Sequence, residues 1–550
     1  MNTDVLIVGA GPTGLTVANL LARFHINFRI IDAKAGPVNE SRALVMQGRT
    51  LELLERLDLA DQAITAGQKM LAVDILVNSK PAAVLSLSAQ GRQVSPYQYS
   101  LVYEQSQTER LLLEGLQEVG TQVEWKSCLL SLTQTEQETT SVIRGSDGHE
   151  ETITAAYVVG ADGANSAVRH ALGLSLEGST YHYGFFLADV DMTWPRGRDK
   201  WYLNLTREGF YTFFPMYGGN RFRIVASAPP QQIAREELGF EELRELLAHQ
   251  RGLAITVTGA NWITIYRVHR RMANHFRVGR CFLLGDSAHL HTPAGGQGMN
   301  TGIGDAFNLG WKLALVVNKQ AHPSLLESYE QERQPVARAI LSGTDTVFGL
   351  QVTGNPFWQR ARLALIPPLV KMIKVLGLEE WMYKTAAQMW IEYRKSSAVS
   401  EHAAHSRRRG VRAGDRAPYG FFEDDASQGT SLFHLLKGVD HHLLLFEGVQ
   451  AGANLQTMQE KVEGLLKDYA FPVAIHLIAA ENGTLQKIYD ARTPRLFLIR
   501  PDGYIAYSGQ ATDLESFRTY LERVFIRQDR RERTARATSS PVSPSELPPV

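Results

Sequence analysis

The sequence predicts an α/β protein of several domains, and three observations carry that expectation. A short apolar strand, Val5-Leu6-Ile7-Val8, runs into a glycine turn and a helix. Aromatic-rich strand patterns extend from about Gly178 to Thr264. A second α/β pattern starts at Gly414, after the run Arg407-Arg408-Arg409-Gly410. At 550 residues the chain exceeds a single hydrophobic core, because domains of ~150 residues are the common size. Its 44% apolar and 21% charged residues exclude a disordered or fibrous chain. Fifty-seven basic residues balance fifty-seven acidic ones, so there is no bulk electrostatic case for binding nucleic acid. With only Cys128 and Cys281, a disulfide framework is excluded and a reducing, cytoplasmic location is expected.

The elements follow in order. After the first strand, a helix is expected from Thr13 to about Phe24 and a strand over Phe28–Ile31, which makes a βαβ unit. Short strands are expected over 72–100, a helix over Ser106–Val119, and alternating strands around 123–134 and 141–144. Asp147-Gly148 signals a hairpin, and Tyr157-Val158-Val159 runs into a glycine turn at Gly160. Phe210–Phe214 and Phe222–Ala226 read as strands, Phe240–Gln250 as a helix, Cys281–Leu284 as a buried strand, and a long helix begins near Gly298. The apolar stretch Ala361–Leu378 is interrupted by Pro367-Pro368 and carries Arg362, Lys371 and Lys374. It makes a poor membrane span, so no stable membrane insertion is expected. It reads as a pair of amphipathic helices packed in the core or at a contact between two copies, with a place on a membrane surface as the lesser alternative. Residues 527–550, charged and then rich in Ser and Pro, are expected to be a disordered tail.

Gly9-Ala10-Gly11-Pro12-Thr13-Gly14 follows a strand and opens a helix, as a dinucleotide-binding turn requires. The glycines permit a tight turn, close backbone approach to a pyrophosphate, and close packing of helix on strand. The helix start offers free N–H groups to the phosphates. Asp32 ends the second strand, placed to accept from an adenosine ribose hydroxyl and to repel a 2′-phosphate. No second such turn is present to hold a nicotinamide dinucleotide.

Two further motifs lie downstream. Gly285-Asp286-Ser287-Ala288-His289 leads into Pro293-Ala294-Gly295-Gly296-Gln297-Gly298-Met299-Asn300, and Asp162-Gly163-Ala164-Asn165-Ser166-Ala167-Val168-Arg169 lies between them and the first. Together the three resemble the motifs of flavin-dependent aromatic hydroxylases of the p-hydroxybenzoate hydroxylase and phenol hydroxylase type. The resemblance implies a Rossmann-like FAD-binding domain over 1–75, 101–177 and 270–345, with an inserted β-sheet substrate domain over 76–100 and 178–269. A helical segment would follow over 346–405. Residues 411–526 resemble the thioredoxin-like domain of phenol hydroxylase relatives; without a cysteine it can exchange no disulfide. FAD would be the cofactor, with NADPH or NADH as co-substrate, O2 as oxidant, and an aromatic small molecule as substrate of a monomer or homodimer.

The resemblance also assigns residues. Gly9, Gly11, Pro12, Thr13 and Gly14 would carry the pyrophosphate, Asp32 the ribose, and Gln105 and Asp286 the ribityl chain. Gly298, Met299 and Asn300, at a helix start, would face the flavin pyrimidine edge and stabilise negative charge there. Arg42 would contact the pyrophosphate side and assist flavin movement, and Pro293 would border the flavin where oxygen adds. Asp162 would lie between the flavin and nicotinamide routes, or cap the helix after it. Arg271 fits the family pattern or is structural.

The implied reaction is hydroxylation of a phenolic or polycyclic, polyketide-like ring through a flavin C4a-hydroperoxide. Baeyer–Villiger or antibiotic-modifying chemistry on the same fold, and a non-catalytic FAD-fold binding protein, are the alternatives. Tyr181, Tyr183, Phe185, Phe186, Tyr202, Phe210, Tyr211, Phe213 and Phe214 are available to line the substrate pocket. His289-x-His291 lacks a nearby third ligand, so no metal is expected.

Overall fold

The computed structural model describes residues 2–39, 41–87, 94–228, 230–235, 238–250, 252–291, 294–351, 356–402, 410–422, 431–449 and 454–528. The centre of the first sheet is parallel, in the order Cys281–Leu283, Glu150–Gly160, Thr3–Val8, Phe28–Asp32, Glu124–Trp125. Leu6, Ile7, Val158, Val159 and Phe282 are fully buried, as strands covered on both faces must be. Cys128–Gln134 and Thr139–Arg144 add antiparallel strands to the first half of Glu150–Gly160. Gly148, in the turn before that strand, has φ +83°. From Thr3–Val8 the chain pairs next with Phe28–Asp32 on one side and much later with Glu150–Gly160 on the other. Connections that diverge in this way open a crevice at the carboxyl end of the strand.

The second sheet runs Ala72–Val77 and Lys80–Ser86 beside Lys200–Leu205, Phe210–Pro215 and Arg221–Ser227. Its other half is the antiparallel pair Leu176–Thr193 and Thr256–Ala273, each 18 residues long. Ala72–Val77 straddles the expected boundary at 75/76 and belongs wholly to this sheet, because it pairs residue for residue with Lys200–Leu205. Side chains alternate between two cores. Phe186, Tyr202 and Phe213 meet Leu243 and Leu247 of the Phe240–Ala248 helix. Phe185, Phe210 and Leu205 meet Leu44 and Val102 from the nucleotide-binding half.

Pro356–Val375 is one helix rather than the expected pair. Pro367 and Pro368 remove two helix N–H groups, but Leu363, Ile366 and Val370 all stay on one face and in one apolar cluster. The segment 346–405 is not helical throughout, since Ser400–His402 pairs with Ile505–Gln510 as an edge strand. That strand belongs to a third sheet, in the order Ser400–His402, Ile505–Gln510, Arg495–Ile499, His441–Phe446, Val473–Ile478. His441–Phe446 and Val473–Ile478 are parallel, with the Leu455–Leu466 helix between them in the chain. The tail starts later than expected: Arg527 pairs with Asp468 at 2.6 Å and Gln528 N–H donates to the Asp468 carbonyl. Residues 529–550 and the arginines 407–409 lie outside the described residues.

A buried charge network ties the third sheet to the first. Arg500 donates to both Glu332 oxygens at 2.8 and 2.9 Å, and also pairs with Asp502. Lys312, on the long Gln297–Val317 helix, donates to Glu332 Oε2 at 2.8 Å. Burial alone would raise the Glu332 carboxyl pKa, but Arg500 and Lys312 outweigh it and hold the group well below its ordinary range. Desolvation pushes the Lys312 ammonium down to about 8 even beside that carboxylate. Glu332→Ala would leave two buried cations short of their counter-charge, and unfolding in urea should show a loss of ~3–5 kcal/mol. A loss under ~1 kcal/mol, the size of a surface pair, would mean that the network does not hold the third sheet in place.

Candidate functional site

The glycine turn is shaped from behind. Gly9 has φ +105°, and a Cβ there would sit 2.3 Å from the Ala161 carbonyl oxygen. A Cβ on Gly14 would sit 1.9 Å from the Gly9 carbonyl oxygen. Gly11 differs: it is the N-cap of the Pro12–Arg23 helix, at φ −80° and ψ −177°, and its Cβ would point into open space. The turn is therefore closed on its inner side and open at the helix start. Asp32 is buried and fixes the turn, accepting from Ala10 N–H at 2.7 Å and from Lys34 N–H at 2.8 Å. Each carboxylate oxygen keeps a further lone pair.

Thr13 also packs against the downstream motif. Its hydroxyl wedges between two glycines of the downstream motif, 2.7 Å from where a Gly285 Cβ would be and 2.3 Å from a Gly302 Cβ. Its side chain thus packs against both glycines, and its N–H, in the first helical turn, is left for a ligand. The same packing brings the starts of two helices, Pro12–Arg23 and Gln297–Val317, to one crevice.

Asp286 is open to solvent although it lies deep in the protein. Desolvation raises its carboxyl pKa, partly offset by His289 and Arg42, as for a group on the wall of a cleft. Arg42 is exposed and within electrostatic reach of Asp286. Asp162 Oδ2 accepts from Val168 N–H at 3.1 Å, beside the true cap, Ser166, which accepts from Arg169 N–H at 2.9 Å. Its Oδ1 is buried without a partner in the protein, and burial raises the carboxyl pKa. Gln105 accepts from Ala43 N–H at 3.3 Å and donates to Glu109 at 3.0 Å, so each end of the amide keeps one further hydrogen-bonding position.

At the Gln297–Val317 helix start, a Cβ on Gly298 would meet open space, and Met299 is buried. The Asn300 side chain is spent structurally: it donates to the Val45 and Gly296 carbonyls at 2.8 and 2.7 Å and accepts from Gln47 N–H and the Thr50 hydroxyl. Pro293 lies outside the described residues. Arg271 donates to the Thr180 hydroxyl at 2.9 Å, a contact across the long strand pair. His289 pairs with Asp305 at 2.7 Å, and Arg333 holds the other carboxylate oxygen at 2.6 Å. Burial would raise Asp305, but Arg333 and His289 bring it down to about 2.

Sequence reasoning missed Gln47, Arg333 and Thr13's packing role, since each acts on a partner far along the chain. It also missed part of the sheet face beside the crevice. Of the expected wall residues, Phe185, Phe210 and Phe214 pack on this side with Val45. Phe186, Tyr202, Tyr211 and Phe213 belong to the opposite core, and the side chains of Tyr181 and Tyr183 lie outside the described residues. Tyr266, opposite Phe185 in the sheet, joins the near face, and burial pushes its phenol pKa up. Asp189 and Arg223, a buried pair at 2.6 and 2.7 Å, alternate onto the same face.

These features fit a dinucleotide-binding flavoprotein cleft: a helix start open at Gly11, Asp162 Oδ1 without a partner in the protein, and two convergent helix starts. The chain belongs to the FAD-binding domain family, whose model matches residues 2–344. It is 30% identical over 544 residues to 6-methylpretetramide 4-monooxygenase of Streptomyces rimosus, covering 95% of this chain and 94% of that protein. Over 494 residues it is 31% identical to pentachlorophenol 4-monooxygenase of Sphingobium chlorophenolicum, covering 88% of this chain and 86% of that protein. Among solved structures, OxyS anhydrotetracycline hydroxylase from Streptomyces rimosus matches with a TM-score of 0.75 at 26% identity, covering 96% of this chain and 99% of that one. The chain is an FAD-dependent monooxygenase, and no helix among its described residues is long and apolar enough to cross a membrane.

Two glycine substitutions separate folding from flavin binding. Gly11→Ala should leave thermal unfolding unchanged and weaken FAD retention at least tenfold, because its methyl enters the open phosphate space. Gly14→Ala, driven into the Gly9 carbonyl, should lower the melting temperature as well. Full flavin occupancy in Gly11→Ala, read from visible absorbance, would refute this placement of the pyrophosphate.

Proposed function

We propose that this enzyme hydroxylates a phenolic or polycyclic, polyketide-like aromatic compound, using NADPH or NADH as reductant and O2 as oxidant. The observation that carries the reading is the aromatic sheet face of Phe185, Phe210, Phe214 and Tyr266 turned toward the nucleotide-binding half. It is supported by the names of the relatives, whose substrates are a pretetramide, a chlorinated phenol and an anhydrotetracycline.

In this reading the helix start holds the FAD pyrophosphate through the N–H groups of Gly11, Thr13 and Gly14, while Pro12, which has none, sets the first helical position. Asp32 takes the ribose on its free lone pairs, and Gln105 and Asp286 take the ribityl hydroxyls. Arg42 offsets phosphate charge from the solvent side, and Asp162 turns its unpaired Oδ1 toward the cofactor. When bound, FAD supplies the two-electron chemistry that links the reductant, O2 and the substrate. The N–H groups at Gly298 and Met299, held in place by the Asn300 bonds to the 45–50 segment, stabilise negative charge at the flavin edge. For Pro293 the family resemblance implies a place on the oxygen side of the flavin, and proline has no N–H to offer. The apolar sheet face excludes water, which suppresses loss of the oxidising equivalent. Tyr266, kept protonated by burial, donates to a substrate oxygen.

Residues 411–526 act in this reading as a thioredoxin-like packing domain. The parallel and antiparallel order of the third sheet supports the assignment. We assign the enzyme to the cytoplasm as a monomer or homodimer. Support comes from its free cysteines, of which burial pushes the Cys281 thiol up to about 12.

Flavin-loaded protein should oxidise NADPH faster with one member of a panel of phenols and polycyclic aromatics, and label from oxygen-18 gas should enter the product. Arg42→Met should slow flavin reduction by ~10-fold or more, the worth of a hydrogen bond to a charged group, with flavin content retained. Reductant oxidation that yields only hydrogen peroxide across the whole panel would reject the substrate class.

A further inference from the structure

Ten of the seventeen large apolar side chains exposed among the described residues lie between Phe357 and Trp390. Isolated exposed apolar residues are ordinary, but a contiguous patch is a contact surface. At 3.6 residues per turn, Trp358, Leu365, Leu369, Met372 and Leu376 fall within ~40° of one line along the Pro356–Val375 helix and its first residue beyond. Each is about half exposed or more, Val375 is 85% exposed, and Trp381 on the following helix 65%. The inward side of the same helix is already occupied, with Leu363, Ile366 and Val370 in the core. This helix is therefore apolar both toward the protein and toward solvent, unlike a surface helix with one polar side.

The charges select the occupant. Arg360, Lys371 and Lys374 are exposed along one flank. Arg362 is buried and donates to the Thr206 carbonyl at 2.5 Å. No Asp or Glu occurs from residue 346 to 378. A second copy of the chain would bring three more exposed cations and no acid of this helix to answer them, so charge complementarity does not favour it. The chain's own segments 403–409 and 529–550 are net basic as well, so neither complements the patch. A surface with a broad exposed apolar arc, lysine and arginine along its one edge beyond Phe357 and Val375, and a tryptophan near each end matches an anionic lipid interface. We propose that the 357–381 face docks this enzyme on an anionic bilayer, lying in the headgroup plane without crossing it.

The test uses the full, FAD-loaded chain and vesicles of phosphatidylcholine with or without phosphatidylglycerol. Sedimentation should show binding to the anionic vesicles about tenfold or more tighter than to neutral ones, and weaker at high salt. Lipids brominated on the acyl chains should quench tryptophan fluorescence. Lys371→Glu with Lys374→Glu should reduce vesicle binding about tenfold or more, and Trp358→Ser with Trp381→Ser should remove most of the quenching. Unchanged flavin absorbance and melting temperature would show that these variants are folded. The proposal is overturned by no sedimentation with either vesicle, or by equal binding of wild type and the lysine variant. It is equally overturned if light scattering finds a dimer that Leu369→Glu splits into monomers, since a second copy then covers the patch.

Discussion

The cofactor cleft depends on how closely two helices approach. Thr13 fits against Gly285 and Gly302, and Leu20 lies 2.7 Å from where a Cβ of Gly310 would be. These small residues let the Pro12–Arg23 helix lie directly on the Gln297–Val317 helix, so their positive ends open onto one crevice. A larger residue at 285 or 302 would meet the Thr13 hydroxyl. The third motif is anchored to the same place, because Arg169 donates to the Ser287 and Ala164 carbonyls at 3.1 and 2.7 Å. The Ser287 hydroxyl in turn donates to the Gly160 carbonyl. Three segments far apart in the chain thus share one set of backbone contacts.

Behind this crevice the long helix is held by buried charge. Asp305 binds His289 and Arg333, and Lys312, two turns on, binds Glu332, which Arg500 also holds. Such pairs repay their desolvation only where geometry and hydrogen bonding are good. Here every carboxylate accepts from more than one donor. The consequence is positional: the helix whose start opens onto the crevice is tied through Lys312 to the third sheet. A domain with no cysteine can thereby influence the cleft through rigidity alone.

The nucleotide-binding half was legible in the sequence because its determinants are local. Gly9 to Gly14 and Asp32 lie within one βαβ unit, and strand, turn and helix each leave a short-range signature. The second and third motifs could be identified because they are contiguous runs. What spacing could not disclose was where their side chains pack: the Asn300 amide bonds the 45–50 segment, and the Thr13 hydroxyl lies against Gly285 and Gly302, up to ~290 positions away. The aromatic segment read correctly as strands, but only pairing decides which alternate residues join which core: Phe185 packs with Leu44 and Val102, Phe186 with Leu243 and Leu247.

The segment around Pro367-Pro368 marks the limit most plainly. Local chemistry argued for a break, since proline removes a donor and crowds the preceding turn. The helix continues because three side chains on one face find one apolar cluster, and burial at ~25 cal/mol per Å² competes with the local penalty. The order of residues alone places the βαβ cradle, which rests on contiguous residues and backbone geometry, and its three motifs carry the resemblance that implied FAD. Tertiary structure alone decided which side chains remain free for a ligand, where the charges pair, and which helix face is left in water, because each depends on partners that the chain's order does not place together.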